Sequence, residues 1–132
     1  MDWFSRYVVS WELSISLDAS FCLTALERAL SQATPEIFNS DQGSQFTSQA
    51  FTGVLEAAGI AISMDGRGRV YDNIFIERLW RSVKYDNVYL SDWQQVTEAQ
   101  DGLDEYLTFY NHERPHKALQ NHTPFEVYCN NV

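Results

Sequence analysis

The sequence predicts an α/β fold within a single domain. The chain has 132 residues, which is enough for one small domain and too few for two. Hydrophobic residues make up 45% of the chain and charged residues 20%, so it can bury a core. The spacing of apolar residues gives the order strand, helix, strand, helix, strand, helix, helix. This order favours a sheet that is covered by helices.

The first elements follow from alternation and from helix-capping residues. Apolar and polar residues alternate over residues 7–17, which predicts a strand with one buried face. Asp18 or Ser20 can cap the helix that follows this strand. Pro35 ends the segment that connects this helix to the next strand. Residues 37–38 then predict a very short strand.

The middle of the chain predicts a second helix and a third strand. The helix starts near Thr47 or Ser48, and Gly59 provides a stop at its C-terminal end. Residues 60–64 predict another short strand, and a glycine-containing loop follows it.

Two further helices and a loop complete the chain. Asp72 or Asn73 can start the third helix, and Ser91 suggests a capping box with Gln94 for the fourth. Pro115 and Pro124 are excluded from helix interiors, so the tail is predicted to be a folded-back loop. The buried stripe of the third helix is predicted to comprise Ile76, Leu79, Trp80 and Val83.

The charge of the chain limits where nucleic acid could bind. A formal net charge of −9 argues against a self-sufficient DNA-binding domain, which is usually basic. Five of the nine basic residues fall within one short stretch, so any nucleic-acid surface should lie there. These residues are Arg67, Arg69, Arg78, Arg81 and Lys84.

No segment of the sequence points to a membrane or to export. No apolar run approaches the roughly 18 residues that a membrane span needs. A signal peptide typically begins with basic residues and continues with an apolar stretch. The N-terminus of this chain lacks that pattern. We therefore expect a cytoplasmic protein that contacts no membrane.

Two carboxylates stand where chemistry is expected in an α/β fold. Asp41 follows a short apolar strand, and active sites gather at the carboxyl ends of such strands. Glu77 shares a polar stripe of the third helix with Asn73, Arg81 and Lys84, beside the buried stripe. The helix could therefore pack on the sheet and direct Glu77 towards Asp41. Two such carboxylates can hold Mg²⁺ or Mn²⁺ and support phosphoryl transfer.

Structural interpretations of the same residues stay open. Asp41 could be a turn residue, since Asp-x-Gly turns are common, and Glu77 could only pair with Arg81 one helical turn away. His112 and His116 have a spacing that could bind zinc on a helix, but a proline lies between them and no third ligand is evident.

Four segments carry a resemblance to a known family. Residues 39–48 (NSDQGSQFTS) and 72–80 (DNIFIERLW) surround the two acids, which are separated by the 35 positions from 42 to 76. Residues 110–119 (YNHERPHKAL) are followed by Thr-Pro, and residues 2–9 (DWFSRYVV) open the chain. In this order and spacing they resemble the catalytic core of insertion-sequence DDE transposases and retroviral-type integrases.

The resemblance implies a fold, a reaction and roles for residues. The fold would be a ribonuclease-H-like mixed sheet with flanking helices, and the reaction Mg²⁺-dependent cleavage and strand transfer of DNA. Asp41 and Glu77 would be the catalytic metal ligands. Residues 110–116 are expected mainly to pack and cap the end of the domain. DNA contacts are expected from Arg67, Arg69, Asn73, Arg81 and Lys84.

One departure from the family pattern concerns the first catalytic aspartate. The family carries it on the first, central strand, which would lie upstream of residue 1. Asp2 does not replace it, because by resemblance Asp2 lies in the turn before the third strand. Residues 1–132 are therefore expected to be a partial integrase core, the C-terminal portion of a transposase. It would lack the first strand and most of the second.

Three hypotheses about function follow. The first is a transposase fragment that derives from a Mg²⁺-dependent enzyme acting on transposon ends and target DNA, and that is inactive alone. The second is a non-enzymatic fragment that forms a homo-oligomer or associates with full-length transposase and regulates it. The third is an unrelated acidic interaction domain, for which replacing Asp41 by asparagine should change nothing.

Overall fold

The chain divides into two compact units. A computed structural model describes residues 1–14, 20–64 and 74–130. Unit 1 comprises Met1–Val8 and Phe75–Val132, and unit 2 comprises Val9–Ile74. The described residues form a small parallel sheet and several helices, so the predicted mixed α/β fold is confirmed. The assignment of residues 1–132 to one domain stays a prediction.

Unit 2 contains a two-stranded parallel sheet and its covering helices. Strands β1 and β2 pair from Ile37 opposite Ala61 to Ser40 opposite Met64. Because the strands are parallel, their carboxyl ends lie at the same edge. The elements are α1 (Ser20–Leu30), β1 (Ile37–Ser40), α2 (Ser44–Thr47), α3 (Gln49–Ala57) and β2 (Ala61–Met64).

The core of unit 2 forms around α3. Leu55 is fully buried and packs in one cluster with Leu26 and Ile60. The ring of Phe51 lies 5.5 Å from that of Phe38 on β1 and 5.3 Å from that of Phe46 on α2. The strand that precedes Asp41 and the short helix that follows it are therefore anchored to the same core.

The ends of α3 confirm the boundaries that the sequence predicts. The Ser48 hydroxyl accepts a hydrogen bond from the Phe51 amide at 3.3 Å, which satisfies a free donor of the first turn. Gly59 has a φ of 73°, a left-handed conformation that favours glycine. The Ile60 amide then donates to the Leu55 carbonyl at 3.0 Å and closes the helix.

The strand predicted over residues 7–17 is wrong for its described part, which forms no strand. Side chains from α1 and from the turn after it donate to carbonyl groups that a neighbouring strand would otherwise use. Gln32 donates to the Val9 carbonyl at 3.0 Å, and Arg28 donates to the Trp11 carbonyl at 3.0 Å. The rest of the predicted strand lies outside the described residues.

Unit 1 consists of an N-terminal turn and three α-helices. All but the first residue of α4 belongs to it. The helices are α4 (Ile74–Asp86), α5 (Val96–His112) and α6 (Pro124–Asn130), with 3-10 turns at Val88–Leu90 and Lys117–Leu119. The predicted starts of the third helix, Asp72 and Asn73, lie outside the described residues. The buried apolar residues of its described part include Val8, Leu79, Val83, Tyr106, Leu107, Tyr110 and Val127.

The predicted burial of Trp80 is wrong. Leu79 and Val83 face the core, whereas Trp80 is 54% exposed. Adjacent positions on a helix point about 100° apart, so Trp80 lies outside the narrow stripe that Leu79 and Val83 define. The buried face of α4 is therefore narrower than the apolar pattern suggests.

The predicted capping box between Ser91 and Gln94 is also wrong. The Ser91 hydroxyl donates instead to the Asn87 carbonyl at 2.8 Å, and α5 begins only at Val96. At the N-terminal end of α5, the carboxylate of Glu98 accepts a hydrogen bond from the Gln94 amide at 2.8 Å.

The tail contains a helix where only a loop was predicted. Pro124 is the first residue of α6, and proline is tolerated there because the first amide of a helix has no internal partner. The Thr123 hydroxyl accepts from the Glu126 amide at 3.3 Å, and the Glu126 carboxylate accepts from the Thr123 amide at 3.0 Å. This capping box was present in the sequence as Thr-x-x-Glu.

Candidate metal and nucleic-acid site

Asp41 occupies the predicted position, directly after β1. Its Oδ1 accepts a hydrogen bond from the Gly43 amide at 2.8 Å, which forms a tight Asx turn at the carboxyl end of the strand. The side chain of Asp41 is exposed. The Asx turn therefore uses one oxygen of the Asp41 carboxylate, and the other acceptor positions of this carboxylate are open to solvent.

Gly43 lets the chain pass close to this carboxylate. A Cβ atom at Gly43 would lie 2.9 Å from Asp41 Oδ1 and 3.1 Å from Gln45 Oε1. The Gly43 carbonyl accepts a hydrogen bond from the Phe46 amide at 3.0 Å, and α2 begins with this bond. The position of the Asp41 carboxylate is therefore tied to a helix whose aromatic residue packs in the core of unit 2.

Glu77 lies in the first turn of α4, in unit 1, and its side chain is exposed. In the described part of the chain its carboxylate has no hydrogen-bond or ion-pair partner, so the predicted pairing with Arg81 is absent there. The Arg81 guanidinium instead lies 5.7 Å from the centre of the Tyr85 ring. A shallow surface groove is lined by Glu77, Trp80, Arg81, Lys84 and Tyr85.

Contacts within unit 1 fix both ends of α4. Near its start, the Phe75 ring lies 5.8 Å from that of Trp3 and 3.7 Å from the Arg6 guanidinium carbon. No local pattern in the sequence indicates these contacts, since they join residues about 70 positions apart. Because Phe75 is two residues before Glu77, they restrict the turn that carries this acid.

The end of α4 is fixed by a polar network. The Asp86 carboxylate accepts from the Tyr106 hydroxyl at 2.8 Å and pairs with Arg114 at 3.5 Å. Burial, and then the hydrogen bond to Asp86, raise the pKa of Tyr106 well above its usual range. The phenol therefore stays a donor to Asp86 at every physiological pH.

The remaining DNA-binding predictions divide into two groups. Arg81 and Lys84 are exposed on the face of α4 that also carries Glu77. Arg67, Arg69 and Asn73 lie outside the described residues. All five roles stay predictions, as does the convergence of Asp41 and Glu77, which belong to different units.

Residues 110–116 make packing contacts, as the sequence analysis expected. The Asn111 amide group pairs with both backbone polar groups of buried Val8, at 2.9 and 3.0 Å. The His112 ring lies 4.4 Å from that of Phe125 on α6. Burial, with the charges of Arg114 and Arg6 adding to it, lowers the pKa of His116 to about 4, so this imidazole is neutral at pH 7.

The two histidines considered for zinc have different surroundings. The His116 ring packs edge-on against Tyr110 at 4.9 Å, whereas His112 packs against Phe125. Within residues 1–14, 20–64 and 74–130, no group of three or more His, Cys, Asp or Glu side chains is arranged to hold a metal ion. Over the same residues, no helix is long and apolar enough to cross a membrane.

Comparisons with known proteins agree on one family. Two family models, each described as an integrase core domain, match residues 58–124 and residues 1–70. The chain is 33% identical over 126 residues to the transposase for insertion sequence element IS629 of Shigella sonnei, covering 94% of the chain and 42% of that protein. It is 29% identical over 129 residues to the putative transposase InsK for IS150 of Escherichia coli K12, covering 96% and 46%. The chain thus spans about half the length of the curated relatives it matches.

Solved structures share the fold. The catalytic core domain of BIV integrase matches with a TM-score of 0.72 at 22% identity, over 96% of this chain and 80% of that one. The HTLV-2 integrase catalytic core domain in complex with magnesium matches with a TM-score of 0.64 at 20% identity, over 96% and 78%. The predicted ribonuclease-H-like fold class is confirmed by these likenesses. The two matching family models show that this chain belongs to the integrase core domain family.

Proposed function

We propose that Asp41 and Glu77 are metal ligands in Mg²⁺- or Mn²⁺-dependent cleavage and strand transfer of transposon DNA. One observation carries the proposal. In a chain of the integrase core family, an exposed acid at the carboxyl end of a parallel strand precedes an exposed helical acid without a described partner, with 35 positions between them. The HTLV-2 core was solved in complex with magnesium.

The donor chemistry of the two residues fits a hard divalent cation. Mg²⁺ and Mn²⁺ prefer oxygen ligands, and both side chains offer carboxylate oxygens to solvent. The Asx turn with Gly43 orients the Asp41 carboxylate before any ligand arrives. When bound, such a metal activates the attacking oxygen and stabilises the leaving one.

Basic residues beside Glu77 would position the DNA. Arg81 and Lys84 lie on the same exposed face of α4, one and two turns further along the helix. Their contacts would be with phosphates, and would therefore be independent of sequence and weakened by salt. Arg67, Arg69 and Asn73 are proposed to add to these contacts on the resemblance alone. The protein would act in the bacterial cytoplasm, as a homo-oligomer or together with full-length transposase.

Iron-directed cleavage can test whether the two acids share a cation. Fe²⁺ replaces Mg²⁺ at such sites, and with ascorbate and peroxide it generates radicals that cut the nearby backbone. We expect the purified 132-residue chain to be cut near both residue 41 and residue 77, and excess Mg²⁺ to suppress both cuts. Asp41→Asn and Glu77→Gln should each remove both cuts, because one cation needs both ligands.

Matched substitutions make the result specific. Asp101→Asn on α5 and Glu56→Gln on α3 also remove one exposed carboxylate each, and both should leave the two cuts unchanged. Cutting at only one of the two positions would show that the acids do not share a metal. The same conclusion would follow if either cut persisted in Asp41→Asn.

We further propose that the 132-residue chain is inactive alone. Two carboxylates supply fewer oxygens than the roughly six that Mg²⁺ takes, and no residue of this sequence matches the family's first aspartate. A strand-transfer assay with Mg²⁺ or Mn²⁺ should give no joined product, while a full-length relative assayed in parallel does. Joined product from the purified chain would refute this inactivity.

A further inference from the structure

We propose that Trp80 provides a stacking surface for an unpaired DNA base next to Glu77. The inference deepens the proposed function, since it concerns the same face of α4. It differs from the phosphate contacts of Arg81 and Lys84 because it involves the face of a base and not the charge of the backbone.

Helix geometry places Trp80 beside the proposed catalytic acid. Positions 77, 80, 81 and 84 are spaced by three and four residues, so their side chains share one face of α4. These residues line one shallow surface groove. Trp80 is three residues after Glu77, which is less than one helical turn of about 5.4 Å along the axis. A DNA strand whose phosphates contact Arg81 and Lys84 would therefore bring a base close to the Trp80 ring.

The exposure of Trp80 has no explanation in the packing of α4. Leu79 and Val83 already bury the face that contacts the rest of unit 1, and Trp80 is 54% exposed beside them. Indole is the largest apolar side chain, and leaving half of it in water forgoes a considerable part of its burial energy. The flat, exposed ring of Trp80 can stack against another flat group, such as a DNA base.

The groove around Trp80 holds the cations of Arg81 and Lys84 beside the acid Glu77, and this excess of positive charge favours a polyanion over an ordinary protein surface. The chain as a whole carries −9, yet Arg81 follows Trp80 directly and Lys84 lies one turn further on. Asp86, the acid at the end of α4, is already engaged by Tyr106 and Arg114. Aromatic residues set among basic ones are the usual means by which proteins bind single-stranded nucleic acid.

The rest of unit 1 offers a matched comparison in Phe109. This ring on α5 is also exposed, at 41%, but its neighbours one turn away on either side are Glu105 and Glu113. It therefore has a comparable aromatic surface in acidic surroundings. DNA should avoid Phe109 for the same electrostatic reason that it should favour Trp80.

Fluorescence with labelled oligonucleotides tests the stacking. The purified chain is titrated in EDTA with single-stranded oligonucleotides that carry 2-aminopurine, and with the matching duplex. We expect Trp80→Ala to weaken single-strand binding roughly tenfold to a hundredfold, to leave duplex binding unchanged, and to abolish the 2-aminopurine quenching that stacking causes. Trp80→Tyr should keep most of the wild-type affinity for single strands, because tyrosine can also stack. Phe109→Ala should not change this affinity.

Salt dependence separates stacking from phosphate contact. Lys84→Ala should make single-strand binding less sensitive to salt, whereas Trp80→Ala should lower the affinity at every salt concentration with the same slope. Equal losses for single strand and duplex, an unchanged affinity in Trp80→Ala, or no single-strand binding by the wild-type chain would each overturn the proposal. A dimer that dissociates in Trp80→Ala would also overturn it, since a second copy would then cover the ring. Because EDTA removes metal, failure here leaves the test of Asp41 and Glu77 unaffected.

Discussion

Replacing Asn111 by alanine is expected to lower the free energy of unfolding by about 2–4 kcal/mol. The Asn111 side chain donates to the Val8 carbonyl at 3.0 Å and accepts from the Val8 amide at 2.9 Å. Both residues are buried, so alanine would leave two backbone groups of Val8 without partners and out of reach of water. Each buried unsatisfied group costs about 1–3 kcal/mol.

Urea denaturation followed by circular dichroism measures this loss. The matched control is Asn87→Ala in the same unit, because within the described residues the Asn87 side chain makes one long bond, from its Nδ2 to the Gly102 carbonyl at 3.4 Å. That substitution should cost less than about 1 kcal/mol. If Asn111→Ala unfolds at the same urea concentration as the wild type, water must replace the side chain and the two bonds contribute little.

The contacts of Asn111 also bear on the interpretation of residues 110–116. Asn111 joins residues 103 positions apart, so it ties the N-terminal turn of unit 1 to the end of α5. His112 and His116 pack against the aromatic rings of Phe125 and Tyr110. These contacts give the segment a structural role that requires no contact with DNA.

Local signals in the sequence predicted the helices well. Ser48 and Gly59 bound α3 as expected, because a cap and a left-handed glycine act within a few residues of the helix end. Two of the predictions that failed depend on distant parts of the chain, whereas the missed helix α6 had a local signal in its Thr-x-x-Glu capping box. Alternation over residues 7–17 cannot reveal that Arg28 on α1 and Gln32 just after it donate to the carbonyl groups there. The exposure of Trp80 likewise depends on which face of α4 the rest of unit 1 covers.

The candidate site was predicted in a different way from the fold. From chemistry alone, Asp41 could be a metal ligand or a turn residue, and Glu77 could be a metal ligand or one half of a surface ion pair. The resemblance and the interval of 35 positions singled them out as metal ligands. The structure adds that Asp41 does form the turn, that Glu77 is unpaired in the described part of the chain, and that both are exposed. The exposure of Glu77 agrees with the polar stripe that helical spacing predicts, whereas the turn at Asp41 and the unpaired state of Glu77 do not follow from a periodic pattern.

Replacing Leu55 by alanine is expected to cost about 3–5 kcal/mol, the upper part of the range for such substitutions. Leu55 is 0% exposed and lies in one cluster with Leu26, Phe51 and Ile60. The cost exceeds the transfer energy of the lost methyl groups because a cavity remains where the surroundings cannot collapse. The Ile60 amide also donates to the Leu55 carbonyl, so the backbone there is held in place by the end of α3.

Hydrogen exchange shows where this loss is felt, and so connects the core to the candidate site. The cluster packs against Phe38 on β1, and Asp41 follows that strand directly. In Leu55→Ala, the amides of β1 should exchange faster, and cutting by bound Fe²⁺ near residue 41 should spread over more positions as the strand loosens. Leu90→Ala is the control, since Leu90 is 80% exposed and its truncation should change stability by less than about 0.5 kcal/mol. A loss of less than about 1 kcal/mol in the free energy of unfolding of Leu55→Ala would mean that the cluster refills the cavity. The position of Asp41 would then have to depend on the turn with Gly43 rather than on the core beneath it.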